Sequence, residues 1–183
     1  QRTKKALICV LIPAYNEGSR IQDVVMRAKK YARKVVVVDD GSTDDTAAGA
    51  EKAGAEVLRH PGNLGKGAAL QQGFKYLLSE KYPTLVVLDG DGQHEPEMIP
   101  TFIKVAEENK AAIVVGNRME NIANMPAVRY YTNWVTSTII SWLIKQKVPD
   151  SQCGYRLIKR EVLQQINFAT QNYDTESEML LEV

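Results

Sequence analysis

Cysteine is scarce in this 183-residue chain: Cys9 and Cys153 are the only two, far apart and in no metal-binding spacing. Both read as reduced thiols of a cytosolic domain. An excess of one charge sign is also missing. Lys and Arg total 23 against 22 for Asp and Glu, a formal net charge of +1, so the basic surplus of a nucleic-acid binder is absent. No apolar run is long enough for a membrane span. No solenoid-type repeat and no linker-like stretch divides the chain. The opening QRTKKALICVLIPAYNE turns from basic to apolar, but Pro13, Asn16 and Glu17 do not supply the small-residue cleavage site of a signal peptide. It reads as a first buried strand. At the other end TESEMLLEV stops inside a helical pattern without a cap, as expected of a piece of a longer protein.

What is present is ordinary for a soluble domain: 44% hydrophobic and 25% charged residues. The length suits one catalytic-sized domain over 1–183 with a substantial core. Short β-branched runs alternate with helical patterns. ALICVLI (6–12), VVVV (35–38), AEVLR (55–59), LVVL (85–88) and AIVVG (112–116) read as strands. Helices are expected over 18–33, after Ser42 or Thr43 as N-cap until Gly54, over about 65–79, after Pro96, and over 126–148. CGYRLI (153–158) reads as a further short strand. The strands are apolar throughout, so both faces should be covered. Alternation then predicts an α/β fold of three layers, a mostly parallel central sheet with helices on both faces, Rossmann-like in layout.

Ligands of open parallel sheets bind beyond the carboxyl ends of the strands. Three strands end there in chemically useful residues. The first gives Pro13, Tyr15, Asn16 and Glu17; the second Asp39, Asp40 and Ser42; the fourth Asp89, Gly90, Asp91, Gln93 and His94. These clusters should meet on one edge. Asp89 and Asp91, separated by one glycine, suit a hard divalent cation, Mg2+ or Mn2+, which takes few protein oxygens and completes its shell with water and substrate phosphates. The competing reading is a turn ordered by two aspartates. Of Asp39 and Asp40, one is expected to cap the turn and the other to bind a base or ribose.

NLGKGAAL (63–70) looks like a phosphate loop but is not a Walker motif: Gly62 and Gly65 are too close, and Gly67 rather than Ser or Thr follows Lys66. What remains is a glycine-rich helix start with one lysine, able to approach an anion, or simply a closely packed helix.

Taken together, PAYNE (13–17), VVDDGSTDDT (37–46), NLGKGAAL (63–70), LDGDGQ (88–93), GNR (116–118) and DSQCGYR (150–156) resemble family 2 glycosyltransferases of the glycosyltransferase A fold, and within them the polyprenyl-phosphate sugar synthases typified by dolichyl-phosphate mannose synthases. The resemblance implies inverting transfer of a sugar from a UDP- or GDP-sugar to a polyprenyl phosphate such as dolichyl or undecaprenyl phosphate. It implies donor contacts from Pro13, Tyr15, Glu17, Asp39 or Asp40, Lys66 and Gly90, and metal binding by Asp89, Asp91 and Gln93. Asp89, Asp91, Asp150 and Arg118 become the candidate catalytic residues, and Arg118 and Arg129 the candidate anchors of the acceptor phosphate. The implied location is the cytoplasm, peripheral at the inner face of the membrane or anchored there through sequence outside this chain.

The departures from the wider family matter. Many glycan-elongating relatives carry a Glu-Asp base and some a Gln-x-x-Arg-Trp motif; here the corresponding region reads Asp150-Ser-Gln-Cys-Gly and the second motif is absent. A sugar hydroxyl needs a base, whereas a phosphate is already anionic near neutral pH and needs cationic anchors, for which Arg156 is a further candidate unless it bridges to Asp150. Elongation on a hydroxyl acceptor and non-catalytic sensing of a nucleotide sugar are the alternatives. A nucleotidyltransferase would want a basic glycine-rich N-terminal loop, which PAYNEGSR does not provide. The segment 134–148, with Trp134 and Trp142 and then Lys145 and Lys147, suits either a helix lying on lipid or one packed against the sheet or a second subunit.

Overall fold

The computed structural model describes residues 7–80, 82–117, 127–145 and 147–165, with only the backbone for 127–129. Strands β1 (Ile8–Ala14), β2 (Lys34–Asp39), β3 (Glu56–Arg59), β4 (Thr84–Val87), β5 (Ile113–Val115) and β6 (Arg156–Lys159) alternate with helices α1 (Ile21–Ala28), α2 (Thr46–Lys52), α3 (Lys66–Ser79), α4 (Ile99–Glu108), α5 (Ala127–Leu143) and α6 (Arg160–Leu163). The strands form one sheet in the order β3-β2-β1-β4-β6-β5. The first four are parallel neighbours, whereas β6 runs antiparallel to both β4 and β5.

The uninterrupted apolar strands follow from burial on both faces. Ile8, Val10 and Ile12 of β1 join Val35 and Val37 of β2 in one core, with Ile21, Val24, Val25 and Ala28 of α1 and Phe102 of α4. Cys9 and Leu11, with Val36 and Val38, face the other core, where Leu70, Phe74 and Leu77 of α3 pack. Helix α3 comes so close that a Cβ on Gly73 would lie 2.4 Å from Leu11 Cδ1.

Several boundaries differ from expectation. Helix α1 is confined to Ile21–Ala28 because the segment before it forms turns around Glu17, whose carbonyl accepts from the amides of Arg20 and Ile21. Neither Ser42 nor Thr43 caps α2, which begins at Thr46. Pro96 opens a short 3-10 turn, Pro96–Met98, ahead of α4. Helix α5 ends at Leu143, and Lys145 turns the chain with φ 55°. The antiparallel sense of β6 was not legible from its composition. It has a direct consequence: β6 starts at the edge where β1 to β4 finish, so residues 150–155 arrive beside the strand tips.

Candidate active site

The first two strand tips are laced together. Asn16 sits in the left-handed region with φ 55°, a conformation asparagine tolerates better than most residues. There its amide donates to Ser42 Oγ at 2.9 Å, and its own Oδ1 accepts the Thr43 amide at 2.9 Å. The Glu17 amide donates to Thr46 Oγ1 and that of Gly18 to Asp44 Oδ2. Asp44 also accepts from the amide and hydroxyl of Thr46, and these bonds hold its carboxyl below the usual range. Ser42 and Thr43 therefore serve the PAYNE loop rather than a helix cap. Pro13 is buried at the end of β1, while Tyr15 is 44% exposed and open to a ligand. Burial pushes the Glu17 carboxyl up and the nearby Asp91 charge pushes further, with Arg20 opposing.

Asp39 and Asp40 divide their work. Both oxygens of Asp40 are engaged: Oδ1 meets His60 Nδ1 at 2.6 Å and accepts the Leu64 amide, and Oδ2 accepts the Gly65 amide at 2.8 Å. Asp40 thus ties β2 to the start of α3. Gly41 permits this arrangement; its φ is 72°, and a Cβ there would lie 2.3 Å from the Gly62 carbonyl carbon. Asp39 Oδ1 accepts the Ser42 amide at 3.0 Å. Its Oδ2 lies 3.1 Å from Arg59 Nε, near enough for charge pairing, yet is buried without a hydrogen-bond partner among the described residues. A buried carboxylate oxygen in that condition is ready to accept an N–H from a ligand.

At the tip of β4, Asp91 Oδ1 accepts the Gln93 amide at 2.9 Å, which orders the Asp-Gly-Asp turn. Gln93 itself is exposed, and Gly90 packs against Ala14 and Ile21. Asp89 Oδ1 lies 2.7 Å from Lys66 Nζ at the first position of α3. Above the pair, Gly154 comes so close that a Cβ would be 2.9 Å from Lys66 Nζ and 3.0 Å from Asp89 Oδ2. His94 is buried rather than a solvated loop residue, and its Nδ1 accepts the Asp89 amide at 3.0 Å. Its ring rests against Tyr155, which stacks on Phe102 with centroids 4.4 Å apart. Burial raises the Tyr155 hydroxyl, which donates to the Glu95 carbonyl. Arg27 of α1 grips Glu97 through two hydrogen bonds, pinning the far end of this loop and pulling the Glu97 carboxyl down to about 2. His94 stands in the sequence as a residue able to add or orient a ligand, whereas Gly154 as a roof shows only in contacts across the fold.

The acceptor-side candidates fall differently. Arg118 lies outside the described residues, and Arg129 is described only as backbone within α5. Asp150 is 1% exposed, with Oδ1 accepting the Gln152 amide. Arg156, also 1% exposed, donates to the carbonyls of Cys153 and Ser151 at 2.8 and 2.7 Å. It shapes the 150–155 loop from inside rather than facing a ligand. Ser137 docks α5 onto that loop, its Oγ accepting the Ser151 amide, and Ser141 Oγ accepts the amide of Val148 just ahead of it. The opposite face of α5 exposes Tyr131, Trp134, Val135, Ile139, Trp142 and Leu143, a single stripe at helical spacing.

Among the described residues, no three His, Cys, Asp or Glu side chains are gathered so as to hold a metal by themselves. A hard dication completed by phosphate and water oxygens needs only one or two carboxylates. Asp89 already binds a cation, the Lys66 ammonium, at 2.7 Å. Asp91 stands two residues on, close enough to perturb Glu17. Asp89 and Asp91 are thus carboxylates of the chemistry that Mg2+ or Mn2+ takes.

Comparison with known proteins gives the family of the chain. The profile of Glycosyl transferase family 2 matches residues 9–166. An uncharacterised protein of Methanocaldococcus jannaschii is 36% identical over 171 residues, spanning 86% of this chain and 74% of that protein. The polyprenol monophosphomannose synthase of Mycolicibacterium smegmatis is 31% identical over 171 residues, spanning 87% of this chain and 64% of the synthase. Glucosyl-3-phosphoglycerate synthase from Mycobacterium tuberculosis, solved with Mg2+ and UDP, matches with a TM-score of 0.70 at 22% identity, over 97% of this chain and 64% of that one. That last likeness is one of fold alone.

Proposed function

Because this chain belongs to glycosyl transferase family 2, we propose that it transfers a sugar, with inversion, from a UDP- or GDP-sugar to a polyprenyl phosphate. The observation that carries the reading is the meeting of three segments at Asp89: the start of α3 with the Lys66 ammonium 2.7 Å away, the loop before β6 with Gly154 overhead, and the loop after β4 itself with His94 behind and Asp91 beside it. Asp39 Oδ2 is assigned to an N–H of the base: at the tip of β2 it is a buried carboxylate oxygen that pairs with the charge of Arg59 but has no hydrogen-bond partner among the described residues. Tyr15 covers the nucleoside. The start of α3, with Lys66 at its first position, faces the diphosphate.

Asp89 and Asp91 would hold a Mg2+ or Mn2+ ion, which would supply positive charge to offset that on the departing diphosphate. An acceptor phosphate oxygen attacks the anomeric carbon from the face opposite the diphosphate. The new carbon–oxygen bond forms as the bond to the β-phosphate breaks, and the nucleoside diphosphate leaves. An already anionic nucleophile gives up no proton to the protein. Asp150 Oδ1 accepts the Gln152 amide within its own loop. Arg118 and Arg129 are assigned to the acceptor phosphate from sequence alone. With a lipid acceptor, the exposed stripe of α5 is assigned to the membrane surface; among the described residues no helix is long and apolar enough to cross a bilayer.

The test is product analysis. Full-length chain is incubated with Mn2+ and a panel of labelled UDP- and GDP-sugars, with polyprenyl phosphate and oligosaccharides offered as competing acceptors. Label in the lipid phosphate is expected. Label only in the oligosaccharides would replace this reading with glycan elongation, and nucleotide binding without any turnover would replace it with a sensor.

A further inference from the structure

The Lys66–Asp89 pair is partly exposed, with 41% of the lysine side chain and 26% of the carboxylate side chain open, but three segments converge on it. Lys66 begins a 14-residue helix, Asp89 follows the tip of β4, and Gly154 leads into β6. The three segments close around one ammonium: Nζ lies 2.7 Å from Asp89 Oδ1, and a Cβ on Gly154 would come within 2.9 Å of Nζ and 3.2 Å of that same oxygen. Any side chain at position 154 would crowd the pair, so the pocket is shaped for lysine and carboxylate together. His94 Nδ1, fixed by the Asp89 amide at 3.0 Å, holds the backbone of this residue in place behind.

A carboxylate engaged by an ammonium at contact distance is not free for a dication, and a single and a double positive charge a few ångströms apart repel. A metal ion approaching alone must therefore dislodge Lys66 and leave its ammonium facing that ion. A diphosphate changes the balance by offering Lys66 a new anionic partner at the start of α3.

We propose that Lys66 is a stand-in cation that holds Asp89 until the donor diphosphate takes it over, so that dication and nucleoside diphosphate bind cooperatively, each raising affinity for the other. The inference rests on the donor-site reading above and deepens it. Coupling of this kind is reciprocal, which gives it a signature in binding rather than turnover. Lys66 then acts twice, as a guard on Asp89 before binding and as a diphosphate ligand after it.

The experiment titrates Mn2+ against the full chain, with free Mn2+ followed by electron paramagnetic resonance, for wild type, Lys66→Met and Lys66→Arg. Thermal melts establish that each variant is folded; Lys66→Gln replaces the methionine variant if that one is not. Without nucleotide, Lys66→Met is expected to bind Mn2+ about three- to fivefold more tightly than wild type, the scale of a partly exposed ion pair. Lys66→Arg, which keeps the charge, should stay near wild type. At saturating Mn2+, Lys66→Met should bind UDP or GDP more weakly than wild type does. Mn2+ affinity in Lys66→Met equal to or below that of wild type, or a rise of the same size in Lys66→Arg, overturns the stand-in role while leaving the donor site intact. A wild type that binds neither UDP nor GDP in Mn2+ overturns the donor-site reading and this inference with it.

Discussion

The backbone amide of Asp89 donates to Nδ1 of His94, five residues further along the chain, across 3.0 Å. The imidazole is buried, packed on Tyr155, and uses its lone pair to fix a strand tip. His94→Phe fills the volume but leaves that amide without its acceptor. The expected cost is about 1–3 kcal/mol in urea unfolding, with at least a tenfold fall in sugar transfer as Asp89 drifts. His94→Asn, whose oxygen can take the Nδ1 position, should recover part of both.

Asp39 and Asp40 should separate cleanly. Asp39→Asn can put an N–H donor where the carboxylate oxygen assigned to the base stands and weakens its pairing with Arg59, so nucleoside diphosphate affinity should fall about 10- to 100-fold, the scale of one charge-assisted hydrogen bond, measured by calorimetry. Asp40→Asn disrupts the bonds to His60, Leu64 and Gly65. Its main effect should be on stability, about 1–3 kcal/mol by urea denaturation.

Glu17 gives a pH dependence of defined sign. Its folded carboxyl is raised, first by burial and then by Asp91. The folded state thus holds the proton more tightly than the unfolded chain, and stability falls as pH rises from the unfolded to the folded value. Glu17→Gln removes this penalty. Its melting temperature should exceed that of wild type at neutral pH and converge with it in acid below the ordinary glutamate range. A variant that melts lower than wild type at neutral pH would contradict the assignment.

Two glycines should fail differently. At Gly41 the new Cβ meets backbone, the Gly62 carbonyl carbon at 2.3 Å, in a left-handed conformation. Gly41→Ala should cost about 2 kcal/mol or more in unfolding free energy. At Gly154 the Cβ meets the side-chain ends of Lys66 and Asp89. Gly154→Ala should leave the melting temperature within a few degrees while weakening Mn2+-dependent UDP or GDP binding.

On α5, Trp142 is 78% exposed at the centre of the apolar stripe. If that face rests on lipid, Trp142→Ala should reduce flotation of the chain with anionic liposomes several-fold at unchanged melting temperature. A change in oligomeric state with no change in flotation would assign the stripe to a second copy instead.

The sequence alone was enough for the parallel half of the sheet. Val35–Val38 and Leu85–Leu88 are apolar on both faces, and an acid cluster follows each of them. A local pattern of that kind carries its own meaning, because strand, tip and turn are neighbours in the chain. The family motifs were equally legible, being contiguous. Helix ends were less so: Ser42 and Thr43 have cap chemistry, but Asn16 in the loop after β1 claims them, and tertiary hydrogen bonds outrank local propensity.

Tertiary structure alone decided which aspartate of Asp39-Asp40 keeps an open oxygen, that Arg156 faces inward, and that β6 enters antiparallel and carries Gly154 over Asp89. The strand pairing and the approach of Gly154 to Asp89 join residues tens of positions apart, and the inward turn of Arg156 follows from the loop they place. Chain order specifies which chemical groups are available; only packing specifies which of them meet, and a carboxylate's role is fixed by what reaches its two oxygens.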